Sequence, residues 1–264
     1  MPKIELIQGD CLEKMKDIPD GSIDMVLTSP PYDNLRTYNG SLDWGEHVWK
    51  PVIQELFRIV KDGGVVVWVV GDATIKGSET GTSFRQSLWS MECGFNLHDT
   101  MIYECNKPPL THNRYEQSFE YMFVWSKGKP HTFNPLLKKN KYYGENCLRN
   151  GDWASGKDNS AMRQRDGKKK VKEFGIKYNI WRYETGGNKT TKDKIAFQHP
   201  AIFPEKLAHD HIASWSNEGD TILDPFAGSG TVGKIAKQLN RNCILIEKVS
   251  EYFKIAEKRI NEYL

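Results

Sequence analysis

Short apolar runs separated by amphipathic stretches recur along most of this 264-residue chain. Ile4 to Ile7 reads as a strand closed by Gly9-Asp10, and Cys11 to Asp17 as a short helix with Leu12 and Met15 on one face. After the turn Pro19-Asp20-Gly21-Ser22, the run Ile23 to Leu27 predicts a buried parallel strand. Trp49 to Lys61 has helical spacing, with Val52, Leu56, Ile59 and Val60 on one face, and Asp62-Gly63-Gly64 is expected to end it. Val65 to Val70 is apolar on both faces, as a central parallel strand should be, and Gly71-Asp72 closes it. Phe84 to Cys93 predicts a helix and Leu97 to Tyr103 a strand, broken by Lys107-Pro108-Pro109. In Phe119 to Trp125 the aromatics alternate, as in a strand with one ring-bearing face. These last two strands are expected to form an antiparallel sheet edge.

The rhythm is lost from about Pro130 to Ile195 and returns at His199. Pro204 to Trp215 predicts a helix, and Asp220 to Leu223 leads into a strand. The glycine-bearing turn Asp224-Pro225-Phe226-Ala227-Gly228-Ser229-Gly230-Thr231 follows. Helix Val232 to Leu239, strand Cys243 to Ile246 ending on Glu247, and an amphipathic helix Glu251 to Tyr263 complete the chain. Strands alternating with helices indicate an α/β fold with a mostly parallel sheet.

Charge singles out the irregular middle. Leu136 to Ile195 carries 16 Lys and Arg against 7 Asp and Glu, a net of +9; the whole chain is +3, so the remainder is −6. A basic block in an acidic protein is the footprint of a nucleic-acid contact. A solvated lysine-rich loop is the plainer reading, but Tyr142, Tyr143, Trp153, Phe174, Tyr178 and Trp181 are more rings than such a loop holds. No apolar stretch approaches the roughly 20 residues that span a bilayer, and the amino terminus lacks signal-peptide architecture. Five scattered cysteines (Cys11, Cys93, Cys105, Cys147, Cys243) with no Cys-x-x-Cys pair argue against a disulfide framework or a zinc site and fit a cytoplasmic protein.

Two constellations carry chemistry. The first is Ser29-Pro30-Pro31-Tyr32, directly after Thr28 and the second strand. Two prolines make a stiff turn without N–H donors. The Ser29 hydroxyl and the Ser29 and Pro30 carbonyls then offer acceptors beside the Tyr32 ring, a fit for a planar group bearing an exocyclic NH₂. Alone, the motif reads equally as a tight turn with a core tyrosine. Residues 33–45, with Arg36, Tyr38 and Trp44, read as a mobile loop over this site.

The second is the glycine turn. Gly228 and Gly230 allow close backbone approach. Glu247 lies 19 positions after Gly228, near the about 20 of a carboxylate that reaches ribose hydroxyls. The third glycine of a dinucleotide fingerprint is missing, and Asp10 and Asp224 would repel a pyrophosphate. The turn suits a ligand with ribose, adenine and a cationic amino-acid tail, such as S-adenosylmethionine; an ordinary α/β connection is the simpler alternative. Asp10, at a strand end and helix start, reads as a pocket residue, an N-cap, or both.

Together the motifs resemble those of the DNA amino-methyltransferases, which methylate cytosine N4 or adenine N6. Ser29-Pro30-Pro31-Tyr32 matches their (Asp/Asn/Ser)-Pro-Pro-(Tyr/Phe) motif, and Asp224 to Thr231 their cofactor motif. His199-Pro200 and Phe203-Pro204-Glu205-Lys206-Leu207 resemble the segment preceding it. Residues 4–128 and 197–264 are covered. Catalytic motif first, basic insert second and cofactor motif last resembles the beta class, of bacterial or phage restriction-modification type.

The resemblance implies a Rossmann-like methyltransferase fold with helices on both faces of a mixed, mostly parallel sheet, circularly permuted. It divides the chain into a catalytic half at 1–129, a target-recognition insert at 130–196 and a cofactor half at 197–264. It implies S-adenosylmethionine as cofactor, no metal, and double-stranded DNA as partner with the target base flipped out of the duplex. A cognate restriction endonuclease as functional counterpart and a monomer or homodimer belong to the same expectation. Ser29 and the Pro30 carbonyl would hold the amine, with Pro31 and Tyr32 completing the catalytic set and Tyr32 stacked on the base. The cofactor set is Asp10, Cys11, Thr28, Phe203, Asp224, Phe226, Ala227, Gly228, Ser229, Gly230, Thr231, Glu247 and Lys248. Within it Phe226, Gly228 and Gly230 would surround the methionine part, Glu247 would bind ribose, and Asp10 would lie by the adenine amine. Ser in place of Asp at position 29 favours cytosine N4, with adenine N6 the alternative. A catalytically inactive DNA-binding homologue and a methyltransferase for protein amides or RNA are the rival classes.

Overall fold

The computed structural model describes residues 1–32, 43–106, 115–145 and 170–262. Arg36, Tyr38, Lys107-Pro108-Pro109, Cys147 and Trp153 lie outside them. The described elements run β1 (Ile4–Gln8), α1 (Cys11–Met15), β2 (Ile23–Thr28), α2 (Glu46–Ile59) and β3 (Val60–Val70). Then come β4 (Thr74–Ile75), β5 (Ser78–Glu79), α3 (Thr82–Glu92), β6 (Asn96–Cys105) and β7 (Phe119–Ser126). β8 (Leu137–Lys139), β9 (Phe174–Ile176), β10 (Ile180–Tyr183) and α4 (Gly187–Thr190) follow. A 3₁₀ turn (Lys194–Gln198), α5 (Glu205–Trp215), β11 (Thr221–Asp224), α6 (Thr231–Gln238), β12 (Asn242–Glu247) and α7 (Ser250–Glu262) complete the order.

The chain forms two compact units, Met1–Asn134 with Asn179–Leu264, and Pro135–Tyr178. The larger is built on an eight-stranded sheet ordered β1-β12-β11-β2-β3-β7-β6-β10. All neighbours are parallel except at β7, which runs antiparallel to β3 and to β6. The sheet edge therefore differs from expectation: β6 and β7 are antiparallel to each other, but β10 extends the sheet beyond them, parallel to β6. Ile180–Tyr183 was hidden in the irregular middle because four residues flanked by lysines and glycines leave no period to read.

Residue parity along the strands assigns the helices to opposite faces. Val26, Val66, Trp68, Val70, Phe123, Trp125, Leu223 and Ile246 form one core with Met15 of α1 and Trp49, Val52, Ile53, Leu56 and Ile59 of α2. On the other face, His211 of α5 approaches the Met122 sulfur at 3.1 Å, and α6 packs so closely that a Cβ at Gly233 would fall 2.2 Å from Leu245 Cδ1. Val65–Val70 are each at most 1 % exposed, so the central strand is covered on both sides. The rings of Phe119, Tyr121 and Phe123 stand in a row, with centroids 5.4 and 5.3 Å apart.

One junction differs from the sequence expectation. Asp62-Gly63-Gly64 does not separate helix from strand, because α2 passes into β3 at Val60. Pairing jumps from Ile23↔Val60 to Met25↔Val65, so residues 61–64 bulge out of the ladder. Gly63, at φ +78°, allows that turn.

The smaller unit falls within the stretch 130–196. Its described part is a two-stranded antiparallel ladder of β8 and β9. In the larger unit an asparagine marks each exit. Asn134 donates its backbone N–H to Ser214 O at 2.8 Å and its amide to the carbonyls of Ala213 and Ser216, each at 3.2 Å. Asn179 accepts from the Ile102 N–H at 2.9 Å and donates to Asp99 Oδ1 at 3.2 Å.

Candidate active site

Parallel strands present their carboxyl ends on one rim, where open α/β sheets bind ligands. A cavity of about 1000 Å³ opens there, lined from the ends of β1, β2, β6, β10, β11 and β12. β7 runs the other way, so its first residues reach the same rim. That is how Glu120 enters the cavity wall.

Ser29, Pro30, Pro31 and Tyr32 all line this cavity. The Ser29 hydroxyl lies 2.9 Å from Tyr32 Oη, and Tyr32 donates to Glu120 Oε2 at 2.9 Å. Phe226 lines the same cavity, and its ring meets Trp44 edge-on at 5.5 Å. Tyr32, Trp44 and Phe226 all pack on the core beneath α1 and α2. The early proline turn and the late glycine turn, almost 200 residues apart in sequence, therefore share one wall.

Most of the expected cofactor residues are here. Asp10, Cys11, Phe203, Asp224, Phe226, Ala227, Gly228, Ser229, Thr231, Glu247 and Lys248 line the cavity. Asp10 does cap α1, accepting from the Leu12 N–H at 3.0 Å, while its other oxygen meets Lys248 Nζ at 3.1 Å. Glu247 accepts from the N–H groups of Gly228 and Val249 at 2.7 and 2.8 Å. Burial pushes its pKa up against the pull of those bonds. Gly228 sits at φ +51°, and a Cβ there would lie 3.1 Å from the His199 ring.

Thr28 and Gly230 are placed one layer behind the wall. Thr28 is fully buried and donates to Asp224 Oδ1 at 2.7 Å. Asp224 also accepts from the Phe226 N–H at 3.1 Å, and burial raises its pKa to about 7. Gly230, at φ +75°, starts α6, and a Cβ there would fall 2.9 Å from Ala256 Cβ of α7. Its role is to let the last helix approach. Burial, reinforced by Asp10, lifts the Cys11 thiol to about 12.

Behind the glycine turn lies a buried ionic cluster. Arg259 donates to Ser229 O, Ser229 Oγ and Thr231 Oγ1 at 2.7, 2.9 and 3.0 Å. It also pairs with Asp193 and Glu205, and Lys234 pairs with the same two carboxylates.

His199 stands in the segment that the family resemblance places at the cofactor pocket, and it lines the cavity; Glu120 and Tyr252 line it too and lie outside every motif. Glu120 could have been found from the reversed direction of its strand. His199 and Tyr252, with rings 4.3 Å apart, come together only through the fold.

The sequence matches the DNA methylase family of the N6/N4 type over residues 23–258. The chain belongs to the N6/N4 DNA methylase family. It is 53 % identical over 259 residues to the orphan methyltransferase M.BamHII of Bacillus amyloliquefaciens, covering 94 % of this chain and 92 % of that one. The type II methyltransferase M.SmaI of Serratia marcescens is 27 % identical over 296 residues, covering 97 % of this chain and 90 % of that one. In fold it resembles the cytosine-N4-specific PvuII DNA methyltransferase, with a TM-score of 0.70 at 21 % identity over 97 % of this chain and 86 % of that one. It also resembles TTHA0409 of Thermus thermophilus complexed with S-adenosylmethionine, with a TM-score of 0.64 at 23 % identity over 99 % of this chain and 95 % of that one.

As a member of this family the chain is a DNA methyltransferase that uses S-adenosylmethionine. The site fits such a cofactor. The Glu247 carboxylate accepts from the Gly228 and Val249 N–H groups and, with about four lone-pair sites, has capacity for a further donor such as a ribose hydroxyl. The Trp44 indole N–H is buried with no partner among the described residues, which suits a ligand rich in acceptors. Gly228, with no side chain, brings its backbone to the cavity wall beside the His199 ring.

Proposed function

We propose that this methylase transfers a methyl group to the exocyclic amine of a base in double-stranded DNA, with cytosine N4 as the target. The single cavity that joins Ser29 and Tyr32 to Phe226 and Glu247 carries this reading. S-adenosylmethionine supplies an electrophilic methyl group when bound. In this reading Glu247 holds ribose, Asp10 lies by adenine, and Phe226 with the Gly228 turn flanks the methionine part. The Ser29 hydroxyl and Pro30 carbonyl accept the amine protons, which directs the nitrogen lone pair away from them and toward the electrophile. Positioning supplies much of the rate, since an exocyclic amine is a weak nucleophile. A neutral serine at position 29 and the cytosine-N4-specific PvuII relative both favour N4.

The catalytic turn precedes the cofactor turn, the order of a permuted sheet. The Pro135–Tyr178 unit is assigned to target recognition. It carries 12 Lys and Arg against 5 Asp and Glu, and Tyr142, Tyr143, Phe174 and Tyr178 are exposed. Such rings and charges suit phosphates and unstacked bases.

Plasmid DNA from cells expressing the chain, digested to nucleosides and analysed by mass spectrometry, tests this. N4-methylcytosine is the expected mark, N6-methyladenine would move the target to the other amine, and no new mark would overturn the proposal. Long-read sequencing of the same DNA gives the recognition sequence.

A further inference from the structure

The geometry points to Glu120 as a positioning residue that makes the site selective for an amine over a keto oxygen. The inference rests on the functional reading above and assigns a part to a residue outside the two sequence motifs. A carboxylate only accepts hydrogen bonds, whereas a phenol or a serine hydroxyl donates one proton and accepts others. Tyr32 spends its proton on Glu120 Oε2, 2.9 Å away. At 2.9 Å the contact between Ser29 Oγ and Tyr32 Oη then requires Ser29 to be the donor. With its proton turned to Tyr32, Ser29 presents lone pairs to the cavity that it lines.

The consequence is chemical selection. Cytosine and adenine carry an NH₂ where uracil and hypoxanthine carry an oxygen. An acceptor-only Ser29 attracts the first pair and repels the second. Without Glu120, Tyr32 could donate to Ser29, and Ser29 could turn its own proton into the cavity and welcome a carbonyl. A site built around one polarity of hydrogen bond rejects the opposite polarity far more strongly than it rejects a change of size. Glu120 is well placed to fix that polarity, since the backbone of Gly71 lies under it and under Tyr32. A Cβ added at Gly71 would be 3.6 Å from Glu120 Cγ and from the Tyr32 ring.

The test uses the full chain and duplexes carrying the recognition sequence, with the target base as the amine or as its keto counterpart. Wild type should bind the amine duplex about tenfold or more tightly than the keto duplex, one hydrogen bond having become a lone-pair clash. In Glu120→Ala this ratio should fall several-fold, the Pro30 carbonyl alone still favouring the amine, with the dissociation constant for S-adenosylmethionine within about twofold of wild type. Tyr32→Phe should lower it likewise. The double variant should lower it no further, because residues acting in series are not additive. If Glu120→Ala fails to fold, Tyr32→Phe carries the test. A preference unchanged in both single variants overturns the inference, as does a double variant showing the summed effect. So does a fall in amine preference no larger than the accompanying fall in cofactor affinity, since that is the mark of a merely structural role. A wild-type chain that leaves DNA unmarked overturns the functional reading and this inference together; a wild-type chain that marks DNA while Glu120→Ala keeps its preference overturns the inference alone.

Discussion

Arg259, wholly buried in the last helix, donates to the backbone carbonyl of Ser229 at 2.7 Å. The turn expected to receive the cofactor is therefore held from behind by a residue 30 positions away. Removing one member of a buried charge cluster leaves the others uncompensated, at a cost of about 3–5 kcal/mol. Arg259→Met should lower urea-unfolding stability by that order and weaken cofactor binding, because Asp193 and Glu205 would keep the Lys234 ammonium but lose the guanidinium. Arg259→Lys should rescue little, since one ammonium cannot replace a fork of five donors. Unfolding curves and calorimetry of the two variants check this.

Gly228 is the sharper test of the turn itself. Its φ of +51° is costly for any side chain, and a Cβ would press on the His199 ring at 3.1 Å. Gly228→Ala should raise the dissociation constant for S-adenosylmethionine about tenfold, a strain of order 1–2 kcal/mol. Gly228→Val, branched at Cβ, should abolish binding. Calorimetric titration reads both.

Asp224 makes stability depend on pH. Its folded pKa is about 7, raised by burial above an unfolded value of 3.8. The stability it contributes is complete below pH 3.8 and is lost as pH rises through 7. The loss is at most about 4 kcal/mol, at about 1.4 kcal/mol for each pH step between the two values. Asp224→Asn keeps an acceptor for Thr28 and Phe226 and should remove this dependence. Denaturation midpoints at pH 5 and pH 8 should therefore diverge more in wild type than in the variant.

Ser29→Ala removes an acceptor from the proposed amine pocket without touching the glycine turn. Turnover should fall about tenfold to a hundredfold, the cost of one unmet hydrogen bond at a buried amine. Cofactor affinity should stay nearly intact. Single-turnover methylation beside calorimetry separates the two, and an unchanged rate would remove the hydroxyl from the mechanism.

DNA affinity should fall steeply with salt. Six engaged phosphates would give a loss of about 10³-fold between 50 and 200 mM salt through counterion release. Changing Lys138, Lys139 and Lys172 to Gln should flatten the slope by about 0.9 for each phosphate no longer neutralised. Fluorescence anisotropy over a salt series measures it, and equal slopes would take the Pro135–Tyr178 unit out of the DNA interface.

Val65–Val70 declared itself in the sequence as an unbroken apolar run buried on two faces, and Phe119–Trp125 through its alternating aromatics, although Met122 and Val124 on its other face are buried too. Ile180–Tyr183 did not declare itself, since a short outer strand needs few apolar positions and only Trp181 and Tyr183 are buried. The two motifs located the rim, and the cavity joins nearly every residue assigned to them. Thr28 and Gly230 do not line the cavity; one bonds Asp224 and the other admits α7. Glu120 lies outside both motifs, and its place on the rim follows from the antiparallel direction of its strand against β3 and β6.

Asn134 and Asn179 have a consequence for how such enzymes diversify. Each side chain is bonded within the larger unit, so both attachment points are held there whatever chain runs between them. Residues 135–178 can be exchanged for a foreign segment of different length without reopening the sheet. On the proposed assignment of that segment to target recognition, new sequence preferences would arise by grafting between two asparagines.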